Sequence, residues 1–215
     1  MDLIFVGGTD TDVGKTVVAS RLAKRLSAKT RLGVYKPVAS GCIPDDNNTW
    51  LSTDARELWL AAGSPREMDA VCPQRFGAAL APAEAARAEG RTVDIAKMLD
   101  GAKSWQPFCD TLIVEGAGGL FSPLADGVLN IDFFHSLKSI SASPELLLVA
   151  ANRLGVIHQV ISTIRAAMAD GVSIDHLMLS TVTAEPDESV ATNAKEIARW
   201  FPQLNIECLG WINDA

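Results

Sequence analysis

The segment Gly7-Gly8-Thr9-Asp10-Thr11-Asp12-Val13-Gly14-Lys15-Thr16 combines residue types suited to holding phosphate. Glycines let backbone N–H groups face an anion, and a helix starting at the end of the segment adds the positive end of its dipole. In that setting Lys15 reaches the β and γ phosphates of a nucleotide and the Thr16 hydroxyl suits Mg²⁺. The strict spacing G-x-x-x-x-G-K-[ST] wants Gly where this chain has Thr9, one place after Gly8. Because backbone amides hold the anion, the lapse leaves the chemistry intact.

Further charged residues follow apolar runs. Thr111 to Val114 leads into Glu115 and then Gly116-Ala117-Gly118-Gly119, which puts a carboxylate at a strand end beside backbone that a ligand can approach. Glu115 is therefore a candidate Mg²⁺ ligand, directly or through water. Lys36 follows Leu32 to Tyr35, and Pro37 holds it extended. Ser40 and Gly41 come next, in a loop able to turn back over the site. Asp54, at a helix start, reads either as a site carboxylate or as a helix cap, with Thr53 an alternative cap. His158 falls in the first turn after Gly155, where free N–H groups suit a carboxylate, whereas His135 and His176 read as packing or surface residues.

Positioning these groups requires strands that end together. Short Val/Ile/Leu-rich runs without alternation at 3–6, 32–35, 111–114, 145–150, 176–180 and 206–209 read as parallel strands covered on both faces. Segments of helical period lie between them at 15–27, 54–62, 82–88, 94–105, 131–137, 156–169 and 187–200. In the first, Val18, Leu22 and Leu26 form one apolar stripe. The pattern predicts a doubly wound, mostly parallel sheet in a three-layer α/β domain over residues 1–215, whose ligands bind beyond the carboxyl ends of the strands. Between the second and third strands lies a long insertion containing a polar loop (Pro44, Asp45, Asp46, Asn47, Asn48) and three helical segments. Insertions of that length usually carry function.

Composition narrows the partners. The 215 residues carry a net charge of −7 and no Lys/Arg-rich run, which removes the attraction that drives binding to nucleic acid or anionic lipid. No apolar stretch approaches the roughly 20 residues that span a bilayer. The start of the chain reads as a strand without a basic segment, so a secretory signal is not expected and the cytoplasm is the expected location. Cys42, Cys72, Cys109 and Cys208 are too scattered for a disulfide framework or a zinc site and read as free thiols.

The loop from Gly8 to Thr16, the segment Tyr35-Lys36-Pro37-Val38-Ala39-Ser40-Gly41 and the run Val114-Glu115-Gly116-Ala117-Gly118-Gly119 together resemble the dethiobiotin synthetases, in order and spacing. Thr9 is that family's own form of the loop. Pro73, Phe76, Pro82, Glu89 and Gly90 in the insertion and Leu154-Gly155 later are similarly spaced. The resemblance implies a P-loop NTPase fold and a homodimeric, Mg²⁺-dependent ligase. Such an enzyme closes the ureido ring of dethiobiotin from 7,8-diaminopelargonic acid, CO₂ and ATP, through a carbamate and a carbamic-phosphoric anhydride. It implies nucleotide binding by Asp12, Val13, Gly14, Lys15, Thr16, Val17, Asp54, Glu115, Gly116, Ala117 and Gly118, with Thr16, Asp54 and Glu115 serving the metal. Lys15 and Lys36 become the catalytic cations, and Thr11 and Ser40 bind the substrate, Ser40 at its carbamate or amine end. The substrate carboxylate falls to Gly155, Val156, Ile157 and His158 of a partner subunit.

Departures from the family concern the base and the insertion. Ser180-Thr181-Val182 stands where family members commonly hold adenine with an Asn-Asp or similar pair, and the stretch Gly210-Trp211-Ile212-Asn213-Asp214 lacks a frequent Pro. Gln74 and Ala81 replace the usual Tyr and Ser. The competing readings are a partitioning-type regulatory P-loop ATPase, or another small-molecule ligase or kinase on the same scaffold. The first usually carries an extra Lys near Gly7 or Gly8, which this sequence does not.

Overall fold

The computed structural model describes residues 1–46 and 49–211. Along the chain run β1 (Asp2–Gly8), α1 (Lys15–Ser27), β2 (Leu32–Tyr35), β3 (Ile43–Pro44), β4 (Trp50–Leu51), α2 (Thr53–Ala61), α3 (Met68–Val71), α4 (Pro82–Ala88) and α5 (Ile95–Lys103). There follow β5 (Thr111–Gly119), β6 (Pro123–Ala125), β7 (Val128–Leu129), α6 (Asn130–Leu137), β8 (Glu145–Ala151), α7 (Val156–Ala169), β9 (His176–Ser180), a 3₁₀ turn (Glu188–Ala191), α8 (Asn193–Trp200) and β10 (Asn205–Leu209).

Six strands form one parallel sheet in the order β10-β9-β8-β1-β5-β2. The chain leaves β1 toward one edge and later crosses β1 to build the other half, so the strand order reverses beside β1. That is where a doubly wound sheet opens a crevice at its carboxyl edge. Successive side chains of a strand point to opposite faces. On β8, Leu147, Val149 and Ala151 join the main core while Leu148 and Ala150 pack with Val156, Val160 and Ile164 of α7 and Ile197 of α8. Burial on both faces is why β1, β2, β5 and β8 read as unbroken apolar runs, whereas β10, at the sheet edge, is largely exposed rather than covered on both faces. Phe5 of β1 meets Phe133 and Phe134 of α6 at ring-centroid distances of 6.5 and 5.6 Å.

Several local readings are corrected. The third sheet strand does not stop at Val114: it continues through the glycines to Gly119, because Gly8 of β1 pairs with Gly119. Glu115 therefore lies within the strand opposite Val6 and is wholly buried, rather than at a strand end. On α1 the deepest residues are Ala19 and Ala23, with Leu22 and Leu26 only partly buried against the core. The insertion holds four helices, α2 to α5, and a two-stranded β3–β4 hairpin instead of three helices. Asn47 and Asn48 of its polar loop lie outside the described residues. The helix expected over 187–200 is split. Asp187 caps the 3₁₀ turn by accepting from Ser189 N–H, and α8 starts only at Asn193.

Candidate active site

Gly14 explains how the phosphate loop is made. Its φ of +89° is left-handed, and a Cβ there would lie 2.6 Å from Ser180 Oγ of β9. Only glycine meets both conditions without strain. The first bond of α1 runs from Val18 N–H to the Gly14 carbonyl at 3.0 Å. No side chain caps this helix, so the N–H groups of its first turn have no intrahelical partner and face outward as an anion site. Lys15, only 8% exposed, donates from Nζ to the Asp10 carbonyl at 2.9 Å. Burial draws its pKa down, and the attraction of Glu115 only partly offsets that.

Beside the loop sits a buried charge cluster. Lys36 Nζ donates to Asp54 Oδ2 at 2.7 Å and to Glu115 Oε1 at 2.6 Å. The Thr16 hydroxyl donates to the same Glu115 Oε1 at 2.8 Å. The Glu115 side chain is 0% exposed, Lys36 4% and Asp54 51%, so Asp54 is the most open of the three. Burial alone would pull the Lys36 pKa down, but Glu115 and Asp54 outweigh it and hold the ammonium well above the ordinary lysine range. For Asp54 burial pushes up, and the Lys36 charge and hydrogen bond outweigh that and hold its pKa below the ordinary carboxylate value. Asp54 is free for this because it does not cap α2, and neither does Thr53. Ser52 does, accepting from Ala55 N–H at 3.2 Å.

All of these groups except the buried Glu115 line one cleft of about 860 Å³. Thr11, Asp12, Gly14, Lys15, Thr16 and Val17 form one wall, Lys36, Ser40 and Asp54 another, and Ala117 and Gly118 border it. Residues Ala79 to Pro82 of the insertion close over it, tied down by the Ser40 hydroxyl donating to the Leu80 carbonyl at 2.6 Å. Val13 is buried beneath the loop, and Gly116 lies under the border.

Gly155, Val156, Ile157 and His158 do not line this cleft. They form the start of α7 at the same carboxyl edge of the sheet, with Gly155 left-handed at φ +94° and no side-chain cap. Leu154 beside them is 81% exposed and His158 is exposed. Of the C-terminal stretch, residues 212–215 lie outside the described residues. Thr181 is buried next to Ser180, its N–H bonded to the Leu209 carbonyl.

Two buried amides gave no signal in the sequence. Asn130, 1% exposed, donates from Nδ2 to the carbonyls of Ala117, Gly119 and Ser122 and accepts from Ala117 N–H. It pins the glycine segment after Glu115, and a Cβ on Gly116 would lie 2.6 Å from its Oδ1. Asn193 similarly donates to Asn152 Oδ1 and the Arg153 carbonyl ahead of α7.

Thr16, Asp54 and Glu115 offer the oxygens that Mg²⁺ prefers, and Glu115 Oε2 is buried without a hydrogen-bond partner. The donor set fits a hard cation. Among the described residues no group of three or more His, Cys, Asp or Glu side chains could hold a metal, so the remaining ligands would be phosphate oxygens and water.

The AAA domain family matches residues 2–213. The ATP-dependent dethiobiotin synthetase of Rhodopirellula baltica is 48% identical over 92% of this chain and 80% of its own length. The chain belongs to the dethiobiotin synthetase family. That of Bacillus subtilis is 35% identical, over 91% of this chain and 81% of its own. Among solved structures, the hydrogenase maturation factor HypB of Archaeoglobus fulgidus aligns with a TM-score of 0.53 at 15% identity, covering 98% of this chain and 81% of that one. The signal recognition particle receptor FtsY of Elizabethkingia anophelis, in complex with GDP, aligns with a TM-score of 0.57 at 18% identity. That alignment covers 96% of this chain and 56% of FtsY, so the chain spans little more than half of that structure. At such identities the likeness is one of fold.

Proposed function

We propose that this protein is an ATP-dependent dethiobiotin synthetase, which closes the ureido ring from 7,8-diaminopelargonic acid and CO₂ while ATP goes to ADP and phosphate. The observation that carries the reading is the convergence of two buried lysines, Lys15 and Lys36, on one cleft between a phosphate loop and a lid. In this reaction one amine adds to CO₂ and loses a proton, giving a carbamate. A carbamate oxygen attacks the γ-phosphorus and the bond to the β-phosphate bridge breaks, leaving ADP and the mixed anhydride. The second amine adds to the carbonyl carbon, phosphate leaves, and the ring nitrogen sheds its proton. Anionic charge accumulates between carbamate and phosphoryl group, so fixed positive charge is needed more than a nucleophile.

In this reading the backbone from Asp12 to Val17 and the Lys15 ammonium hold the phosphates. The Lys36 ammonium neutralises the carbamate and the transferring group, while Thr11 and Ser40 orient the reacting end of the diamine. Thr16, Asp54 and Glu115 would hold Mg²⁺, which would supply positive charge against the nucleotide phosphates. The substrate carboxylate binds the open start of α7, residues Gly155 to His158, in a second copy of the chain. What supports this is the exposure of Gly155 and His158 and the lack of a side-chain cap at that helix start, which lies outside the cleft lining of its own chain. The reading includes a homodimer acting as one unit over 1–215, in the cytoplasm. Among the described residues no helix is long and apolar enough to cross a membrane.

The test is substrate dependence. Phosphate release should require the diamine and bicarbonate together and yield dethiobiotin by mass spectrometry. Release that ignores the diamine but responds to DNA, lipid or a protein would overturn the proposal in favour of a regulatory ATPase.

A further inference from the structure

The position proposed for the metal is contested within the protein itself. Lys36 Nζ hydrogen-bonds Glu115 Oε1, the oxygen that also accepts from the Thr16 hydroxyl, and at the same time Asp54 Oδ2. Those three side chains are the proposed metal ligands. An ammonium and a divalent cation bound to one carboxylate oxygen repel each other strongly, since little water reaches a glutamate that is 0% exposed. The other oxygen, Glu115 Oε2, is buried and has no hydrogen-bond donor, so Lys36 and Thr16 hold the carboxylate by Oε1 alone.

We infer that Lys36 is a built-in placeholder cation: without nucleotide its ammonium occupies the divalent-metal position, and entry of the metal with the nucleotide expels it toward the cleft. The inference rests on the metal role proposed above for Thr16, Asp54 and Glu115. It makes the metal and Lys36 alternatives at one place, so that Lys36 becomes free to meet the carbamate only once the metal–nucleotide complex is seated. Protein groups alone supply three of the roughly six oxygens that Mg²⁺ takes, so a bare ion competes poorly with a lysine already bound to both carboxylates. The nucleotide's phosphate oxygens supply the missing ligands.

The experiment measures Mn²⁺ binding by electron paramagnetic resonance, without nucleotide or diamine. Wild-type protein should bind Mn²⁺ weakly at this site. Lys36→Met should bind one Mn²⁺ at least tenfold more tightly, and Lys36→Met with Glu115→Gln should return to the weak value. Equal affinity for wild type and Lys36→Met would overturn the inference. Because the Met variant leaves a buried carboxylate unpaired and could unfold, a second measurement uses wild-type protein. Lys36 should be protected from acetic anhydride alone or with a non-hydrolysable ATP analogue plus EDTA, and become labelled when Mg²⁺ joins the analogue. Labelling unaffected by Mg²⁺ would also overturn it. Neither measurement uses the diamine. If both succeed while diamine and bicarbonate fail to trigger phosphate release, the synthetase reading fails and the placeholder stands.

Discussion

Replacing Asn130 with alanine tests whether one buried amide holds the glycine segment that borders the cleft. The change removes four hydrogen bonds, three donated and one accepted, of 2.8 to 3.1 Å. Their loss is unequal. The Gly119 carbonyl is enclosed but keeps the bond from Ser122 N–H at 2.9 Å, so it loses only the net worth of one hydrogen bond, about 1 kcal/mol. The two Ala117 groups are half-buried, so water recovers part of each bond and the remaining cost is roughly 0.5 kcal/mol apiece. The Ser122 carbonyl keeps the bond from the backbone N–H of residue 130 and loses little. The total is about 2 kcal/mol, which for a chain of this length lowers Tm by roughly 4–8 °C. Alanine is a good helix former and residue 130 is the first of α6, so helix propensity does not mask the effect. Asn130→Asp keeps the shape but turns a carboxylate toward three carbonyls, which raises its folded-state pKa. Its stability relative to wild type should therefore be greater at pH 5.5 than at pH 8. Thermal unfolding followed by circular dichroism measures both variants. A loss below about 1 kcal/mol for Asn130→Ala would refute the view that this amide organises the segment.

Lys36→Ala should lower turnover by roughly 100-fold or more without weakening nucleotide binding, whereas Lys15→Ala should damage both. Steady-state kinetics beside titration with a fluorescent nucleotide separates them, and near-normal turnover of Lys36→Ala would sink its assigned role. With Thr181 in place of the usual amide, GTP or CTP should replace ATP with only a modest fall in kcat/KM, about 1–3 kcal/mol of discrimination. Four triphosphates compared at fixed diamine, bicarbonate and Mg²⁺ would contradict this by showing ATP preferred by several orders of magnitude. The Lys36–Asp54 pair sets a pH window. Asp54, held low, stabilises the fold above the ordinary carboxylate range and loses that contribution as pH falls through its folded value. Lys36, held high, contributes below the ordinary lysine value and loses it only as pH rises through its folded value. The stability difference between wild type and Asp54→Asn should thus be flat from about pH 5 to 9 and shrink below about pH 4 in denaturant titrations. A difference that grows on acidification would contradict the assignment. Sedimentation at assay concentration should show a dimer, and a fully active monomer would move the substrate carboxylate site into the same chain.

Much of this protein was legible in its sequence because the signals are local. Strands buried on both faces must be continuously apolar, and a loop that wraps phosphate must supply glycines, a lysine and a hydroxyl in a fixed order. The strand cores and the start of α1 at Lys15 follow from those requirements, as does the place of Lys15 and Thr16 in the cleft wall. Asp54 could be read two ways, since an aspartate near a helix start is as good a cap as a ligand. Ser52 took the cap and Lys36 took the aspartate, a choice made by packing rather than by the local sequence. The burial of Glu115 was hidden as well, because its glycines read as a loop until Gly8 of β1 was there to pair with Gly119. Asn130 and Asn193 look like ordinary polar residues at helix starts; only the fold brings backbone carbonyls within reach of their amides. Sequence spacing specifies groups that act through their own neighbouring backbone. Contacts between residues 79 positions apart, as between Lys36 and Glu115, exist only once the sheet has set its strands side by side.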